Sequence, residues 1–375
     1  MGHRILHLVG ARPNFVKMAP LVAALRERED VENLLAHTGQ HYDQRMSAEI
    51  LEDLQLPEPD FHLGVGSGRH GEQTARALTS CEQLITKTRP DLLVVAGDVN
   101  STLAGALAAA KLGVPIAHLE AGLRSGDWGM PEEINRVLTD RLSDVLLTHS
   151  PEAEPNLIRE GIDPARVHLV GNTMIDSLRR FETVASARAV WERIGLEPAT
   201  YVLVTLHRPS NVDDPQRLRE LVRRLVELGE DKAVVFPIHP RTRGALADAD
   251  LLGDLERAGV RLLEPLGYLD FLSLELGAGA ALTDSGGIQE ETSALGVRCF
   301  TLRANTERPI TLEAGSNVLL GDDPAAITQV VLTRRSIRRP GEIPYWDGLA
   351  ADRAADVLCT YLEAGAPKRG DAVVA

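Results

Sequence analysis

Residues 4–39, RILHLVGARPNFVKMAPLVAALREREDVENLLAHTG, hold the alternation that decides the fold. RILHLVG is a mostly apolar run of strand length that stops at Gly10. Val16, Leu21, Val22 and Leu25 then recur at helical spacing, and NLLAHTG is a second strand. Pro13 suits a first helical turn, whereas Pro20 removes a hydrogen bond further in and predicts a kink. Apolar strands separated by helices predict a parallel sheet covered on both faces.

The pattern continues outward from this stretch. DLLVVAGD (91–98), PIAHLEAG (115–122), VLLTHS (145–150) and VHLVGN (167–172) read as strands, and Ile134, Val137, Leu138 and Leu142 mark a helix. A charged helical segment follows at 174–200. The strands then restart with YVLVTLHR (201–208), AVVFPIH (233–239), RLLEPL (261–266), AALTDSG (280–286), CFTLR (299–303) and NVLLGD (317–322). Two doubly wound, Rossmann-like α/β domains are expected, over residues 1–172 and 173–349. The amphipathic helix at about 350–366 is placed to cross back onto the first domain, and the tail after it to fray.

The 375-residue chain is 44% apolar and 25% charged, a globular composition with ample core. Its formal charge of -14 argues against nucleic acid, which wants a basic stripe, but leaves room for a local basic pocket. Cys81, Cys299 and Cys359 have neither metal-ligand nor C-x-x-C spacing, so buried thiols in a reducing compartment are expected. No apolar run approaches the ~20 residues of a membrane helix. The opening MGHRILHLVGARP is too short in apolar residues for a signal peptide. A cytoplasmic enzyme without a membrane partner is the expectation.

Ligands of parallel sheets sit beyond the carboxyl ends of the strands. Arg12, Gly39-Gln40-His41, Asp98, Glu120, His207, His239 and Asp284-Ser285-Gly286-Gly287 all fall there. One ligand held in a cleft between the two domains is therefore expected. TDSGGIQEETSALG (283–296) is a strand, two glycines and a helix start, which suits an anion on exposed amides. It suits equally a tight turn with Ser285 as the helix cap. Glu290 and Glu291 are placed either to reach a ribose hydroxyl or merely to favour the helix dipole. Arg12 and Lys17 put two cations after the first strand, suited to phosphate, although Lys17 could also be solvated.

GSGRHG (66–71) matches G-x-G-x-x-G but lacks a firm strand before it and a well-placed acid after it, so nicotinamide binding is rejected. No P-loop is present. Asp98 and Glu120 close central strands, and crowded carboxylates near phosphate suit acid–base work. Glu132 and Glu133 open the helix PEEINRVLTD, where acids are favoured anyway and Arg136 stands four residues beyond Glu132. His207 and His239 end successive strands and read better as substrate contacts than as metal ligands.

Together these strings resemble the non-hydrolysing UDP-N-acetylglucosamine 2-epimerases over almost the whole chain. GARPNFVKMAPLV, TGQH, GDVNSTLA, HLEAGLRSGD, PEEINR, VGNTMID, HRPSN, HPRT, TDSGGIQEE and NTERP follow in that family's order. The resemblance implies a glycosyltransferase-B type of fold, a homodimer and no nicotinamide cofactor. It implies catalytic roles for Asp98, Glu120, Glu132, Lys17 and His207. Substrate contacts are implied at Arg12, His239, Phe271, Ser285, Gly286, Gly287, Gln289, Glu291 and Arg308.

The implied reaction is inversion at C2 of UDP-N-acetylglucosamine, by loss and re-addition of UDP through a 2-acetamidoglucal. A hydrolysing epimerase, an epimerase of a related UDP-sugar and a glycosyltransferase are the alternatives. Two departures bear on the choice of sugar: a short loop, DWGM, before Pro131, and Ile310 where the family commonly has an acid. A third bears on regulation. Some family members need a second UDP-N-acetylglucosamine as activator, and Asp43 stands in the corresponding segment, where it either repels that ligand and makes the enzyme independent of it or simply points to solvent from a helix start.

Overall fold

The computed structural model describes residues 2–39, 44–333 and 343–365, and at 44–48 the backbone alone. It divides into two compact units, Met1–Ser177 with Pro344–Ala375, and Leu178–Ile343. Among the described residues no helix is long and apolar enough to cross a membrane.

The first unit holds strands β1 (His3–Val9), β2 (Val31–His37), β3 (Phe61–His62), β4 (Leu92–Ala96), β5 (Ile116–Ala121), β6 (Val145–Thr148) and β7 (Val167–Leu169). They form one sheet in the order β3-β2-β1-β4-β5-β6-β7, and every pairing is parallel. The order reverses between β1 and β4, and such a reversal opens a crevice at the carboxyl ends of those strands. Leu6, Leu8, Leu93, Val95 and Ile116 pack with Cys81 and Ala106 in a single apolar cluster. The first helix, Arg12–Arg26, starts with proline in its first turn and continues through Pro20.

The second unit repeats the plan with β8 (Tyr201–Thr205), β9 (Ala233–Pro237), β10 (Arg261–Leu263), β11 (Ala280–Thr283), β12 (Cys299–Thr301) and β13 (Asn317–Leu319). Their order is β10-β9-β8-β11-β12-β13, again parallel, with the reversal between β8 and β11. Alternate residues of β8 show that both faces are covered. Val202 and Val204 join Leu218, Leu221, Val222 and Leu225 of the helix Pro215–Asp231. Tyr201 and Leu203 join Trp191 and Leu274 in a separate cluster. The two half-chain patterns in the sequence are thus two Rossmann-like sheets, each buried on both faces as its continuous apolar strands require.

The last described helix, Ala350–Glu363, belongs to the first unit, and Arg28 of that unit reaches Asp356 on it at 2.5 Å. Asp176 caps it by accepting the Ala350 and Ala351 amides at 3.2 and 2.6 Å. Burial outweighs these bonds and raises the Asp176 carboxyl from 3.8 to about 6. A raised carboxyl binds its proton more tightly folded than unfolded. Its stabilising contribution is therefore present below its ordinary value and lost as pH rises through about 6. Urea denaturation should show the wild type losing about 3 kcal/mol from this group between acidic and neutral pH. Asp176→Asn should lack that part of the slope; identical slopes in the two proteins would contradict the assignment.

Candidate active site

The reversal in the first sheet brings three helix starts and strand ends together. Asn14, in the first turn after β1, accepts the Gly10 and Ala11 amides and donates to the Ala96 carbonyl at 2.8 Å, so it ties the end of β1 to the end of β4. One turn on, Lys17 is 8% exposed and its Nζ is ion-paired with Glu120 Oε2, which rules out the solvated lysine. Glu120 sits where the β5–β6 register shifts, with φ 71°. A non-glycine residue in that region costs on the order of 1–3 kcal/mol and is held there only by its surroundings. Gly97, at φ +66°, lies so close that an added Cβ would stand 3.3 Å from Lys17 Nζ and 3.5 Å from Glu120 Oε2.

Asp98 follows Gly97, and its carboxylate is ion-paired with the Arg136 guanidinium. Arg136 is fully buried and also pairs with Glu133 at 2.6 Å. Glu133 in turn accepts Ser125 N, Ser125 Oγ and Gly126 N, each at 3.0 Å. The sequence placed Arg136 opposite Glu132, four residues away. The structure instead gives it to Glu133 and Asp98, because the buried face of the helix Pro131–Leu142 carries Glu133 and Arg136 together. Glu132 is half-buried in the first turn of the same helix.

In the second unit His207 and His239, ending β8 and β9, stand with ring centroids 5.5 Å apart. His207 Nδ1 lies 3.0 Å from Asp284 Oδ1. Asp284 also accepts the His207 and Arg208 amides and Asn211 Nδ2. Burial would raise this carboxyl, but His207, Asn211 and the Arg208 amide outweigh it and hold it below the usual carboxylate range. His239 is exposed, and its Nδ1 accepts the Arg241 amide at 3.2 Å, capping the helix Pro240–Asp248.

Ser285 opens the helix Gly286–Leu295 without a side-chain capping bond, so the capping reading of its hydroxyl is not realised. Its backbone is fixed from both sides, the amide donating to Thr283 Oγ1 and the carbonyl accepting Gln289 Nε2. Gln289 also accepts Thr306 Oγ1 and Asn317 Nδ2 through Oε1, and in this position it braces the loop. Beneath Gly286 lies buried Arg308, paired with Glu290 at 2.8 Å and with Glu307. Glu290 is thereby used inside the protein. Burial would raise Glu307, but Arg308, Arg303 and Arg208 hold it well below its ordinary value.

Glu291 accepts the Tyr268 hydroxyl at 3.1 Å. Fully buried Glu275 is raised well above its ordinary value, first by burial and then by the Glu291 charge. Phe271, on the same helix as Tyr268 and Glu275, is half-buried against the cluster that holds Trp191 and Leu274. Each sheet thus carries a constellation of charged groups at the strand ends of its own reversal.

Residues 23–359 match the UDP-N-acetylglucosamine 2-epimerase family. The chain belongs to that family. The UDP-N-acetylglucosamine 2-epimerase of Methanocaldococcus jannaschii is 43% identical, over 94% of this chain and 98% of the relative. The UDP-2,3-diacetamido-2,3-dideoxy-D-glucuronate 2-epimerase of Pseudomonas aeruginosa is 42% identical, over 95% and 99%. The crystal structure of the M. jannaschii enzyme in complex with UDP-GlcNAc and UDP is similar at a TM-score of 0.88 and 40% identity, covering 95% of this chain and 99% of that one.

Gln40, His41 and Asp43, and with them the activator reading, lie outside the described residues. Sequence reasoning did not single out Asn14, Tyr268 or Glu307, and it gave Arg136 only a surface pairing with Glu132. PEEINR and NTERP contain two of them inside motifs, which was the available signal. Gly286 supplies the test of how the loop is supported. A Cβ there would lie 2.3 Å from Arg308 Nη1 and 2.9 Å from Glu307 Oε1. Since Arg308 is buried and paired, Gly286→Ala should destabilise the protein by about 2 kcal/mol, within the usual cost of overpacking. An unchanged denaturation midpoint would contradict this reading of the loop.

Proposed function

We propose that the chain interconverts UDP-N-acetylglucosamine and UDP-N-acetylmannosamine, by elimination and re-addition of UDP. The observation that carries this reading is a pair of strand-end carboxylates, Asp98 and Glu120, each held against a buried cation. The C2–H bond of the sugar has no neighbouring carbonyl, so removing its proton alone is very unfavourable. Elimination solves this: a carboxylate takes the C2 proton, the C1–O bond breaks, and UDP leaves with the electron pair. A C1–C2 double bond remains, as 2-acetamidoglucal. UDP oxygen then adds to C1 while an acid delivers a proton to C2 from the opposite face. No step calls for an electron acceptor.

Asp98, Glu120 and Glu132 supply the acid and base in this proposal. Arg12, Lys17, His207, the Ser285–Gly287 amides and Arg308 behind them favour the charge of the departing diphosphate. Glu291 accepts from a ribose hydroxyl, and Phe271 and His239 belong to the nucleotide side. Catalysis as a cytoplasmic homodimer is part of the same proposal. Cys81 and Cys299, whose thiols burial raises to about 12, suit a reducing compartment and no catalytic role.

A related UDP-sugar is the second reading, suggested by the 42% identity to the P. aeruginosa relative and by Ile310. Incubation with each purified UDP-sugar separates the two. A mixture of UDP-epimers from UDP-N-acetylglucosamine supports the first, free sugar plus UDP supports a hydrolase, and no reaction supports the second reading or a transferase.

In heavy water the epimerised product should gain one deuterium at C2, read by mass spectrometry and proton NMR. Complete retention of the substrate's C2 hydrogen would rule out this route. Asp98→Asn and Glu120→Gln should each lower kcat by about two to four orders of magnitude. Calorimetry should show UDP affinity falling less in both than in Arg12→Ala. Near-normal turnover in the two carboxylate variants would remove them from the chemistry.

A further inference from the structure

His118 and Asp140 lie behind the carboxylates and are fully buried. His118 is on β5, two residues before Glu120. Its Nε2 is 2.8 Å from the carbonyl of Gly97, the residue before Asp98. A carbonyl only accepts, so Nε2 carries a hydrogen. On the other side of the ring, Nδ1 lies 2.6 Å from Asp140 Oδ1. Asp140 also accepts the Gly122 amide at 3.1 Å, two residues after Glu120, and pairs with Arg124 at 2.7 Å. Arg124 is anchored in turn by both oxygens of Glu160, each at 2.7 Å.

These contacts fall where the sheet stops. The β4–β5 pairing ends at Ala96 with Leu119, and the Gly97 amide makes the last ladder bond, to the Leu119 carbonyl at 3.0 Å. Past that bond the Gly97 carbonyl meets the His118 ring instead of a strand partner. Asp140 comes from the helix Pro131–Leu142, which also carries Glu132 and Arg136. One side chain therefore connects the segments that hold Asp98, Glu120 and Glu132.

We infer that Asp140 and His118 form a buried positioning pair that sets the spacing of Asp98 and Glu120 for proton transfer at C2. The inference rests on the functional reading above. Neither residue touches the reacting atoms; each acts through the backbone at Gly97 and Gly122. Misplacing a reacting group by about 1 Å costs about 100-fold in rate, which is the size of effect such a pair controls.

The test compares wild type and His118→Asn, which is too short to span Asp140 and the Gly97 carbonyl together. Turnover is expressed per UDP-binding site counted by calorimetry, so that misfolded protein drops out. The expected result is a fall in kcat of about 100-fold, with KM and UDP affinity within about threefold of wild type. Equal kcat per binding site, or a loss confined to KM, overturns the inference. A second readout uses only the wild type. Nitrogen-15 NMR of labelled histidine should find a slowly exchanging hydrogen on Nε2 of His118, and a bare Nε2 overturns the inference even if the variant fails to fold. A wild type that epimerises nothing overturns the functional reading alone, since the ring measurement needs no substrate.

Discussion

The buried contact between Lys17 and Glu120 is the constraint around which the first unit is arranged. Removing both charges from water costs several kcal/mol per ion, and an apolar pair of similar volume commonly serves stability as well or better. Glu120 adds backbone strain at φ 71°. Stability alone does not account for keeping such a pair at the end of a central strand. Its neighbours are adapted to it: Gly97 leaves the space, Asn14 fixes the two strand ends, and the register shift turns Glu120 toward the first helix.

The second unit uses carboxylates differently. Asp284, Glu290 and Glu307 are all buried and all answered by cations or amides, and they support the Ser285 loop from within. Such partners hold the Asp284 and Glu307 carboxyls below their ordinary values. Glu275 is instead raised well above its ordinary value by burial and by the Glu291 charge. The overall charge of -14 therefore says little about either constellation. What matters is which carboxylates have been given a cation.

Much of the fold was legible because parallel strands buried on both faces leave continuous apolar runs. Each run quoted from the sequence overlaps one of the strands, with β1 and β2 starting one and two residues earlier than read, and β3, two residues long, is too short to leave that mark. The strand-end residues were legible for the same reason, since a strand's end fixes where its next side chains stand. Partnerships were not. Glu132 and Glu133 are equivalent in composition, and only packing decides that Glu133 faces Arg136. Ser285 could be read as a cap until its hydroxyl was placed, and Glu290 as a ligand group until Arg308 was found against it. Asp140 and His118 are 22 residues apart, and no local pattern joins them.

The most direct test of the claim that the Lys17–Glu120 pair is kept for chemistry is a double-mutant cycle in both stability and turnover. Lys17→Met and Glu120→Met should each cost about 3–5 kcal/mol, because each strands the other charge. The double variant should recover most of that loss in urea denaturation, while its turnover stays lower than wild type by at least about two orders of magnitude. A double variant no more stable than the single ones, or one that epimerises at a near-normal rate, would contradict the account.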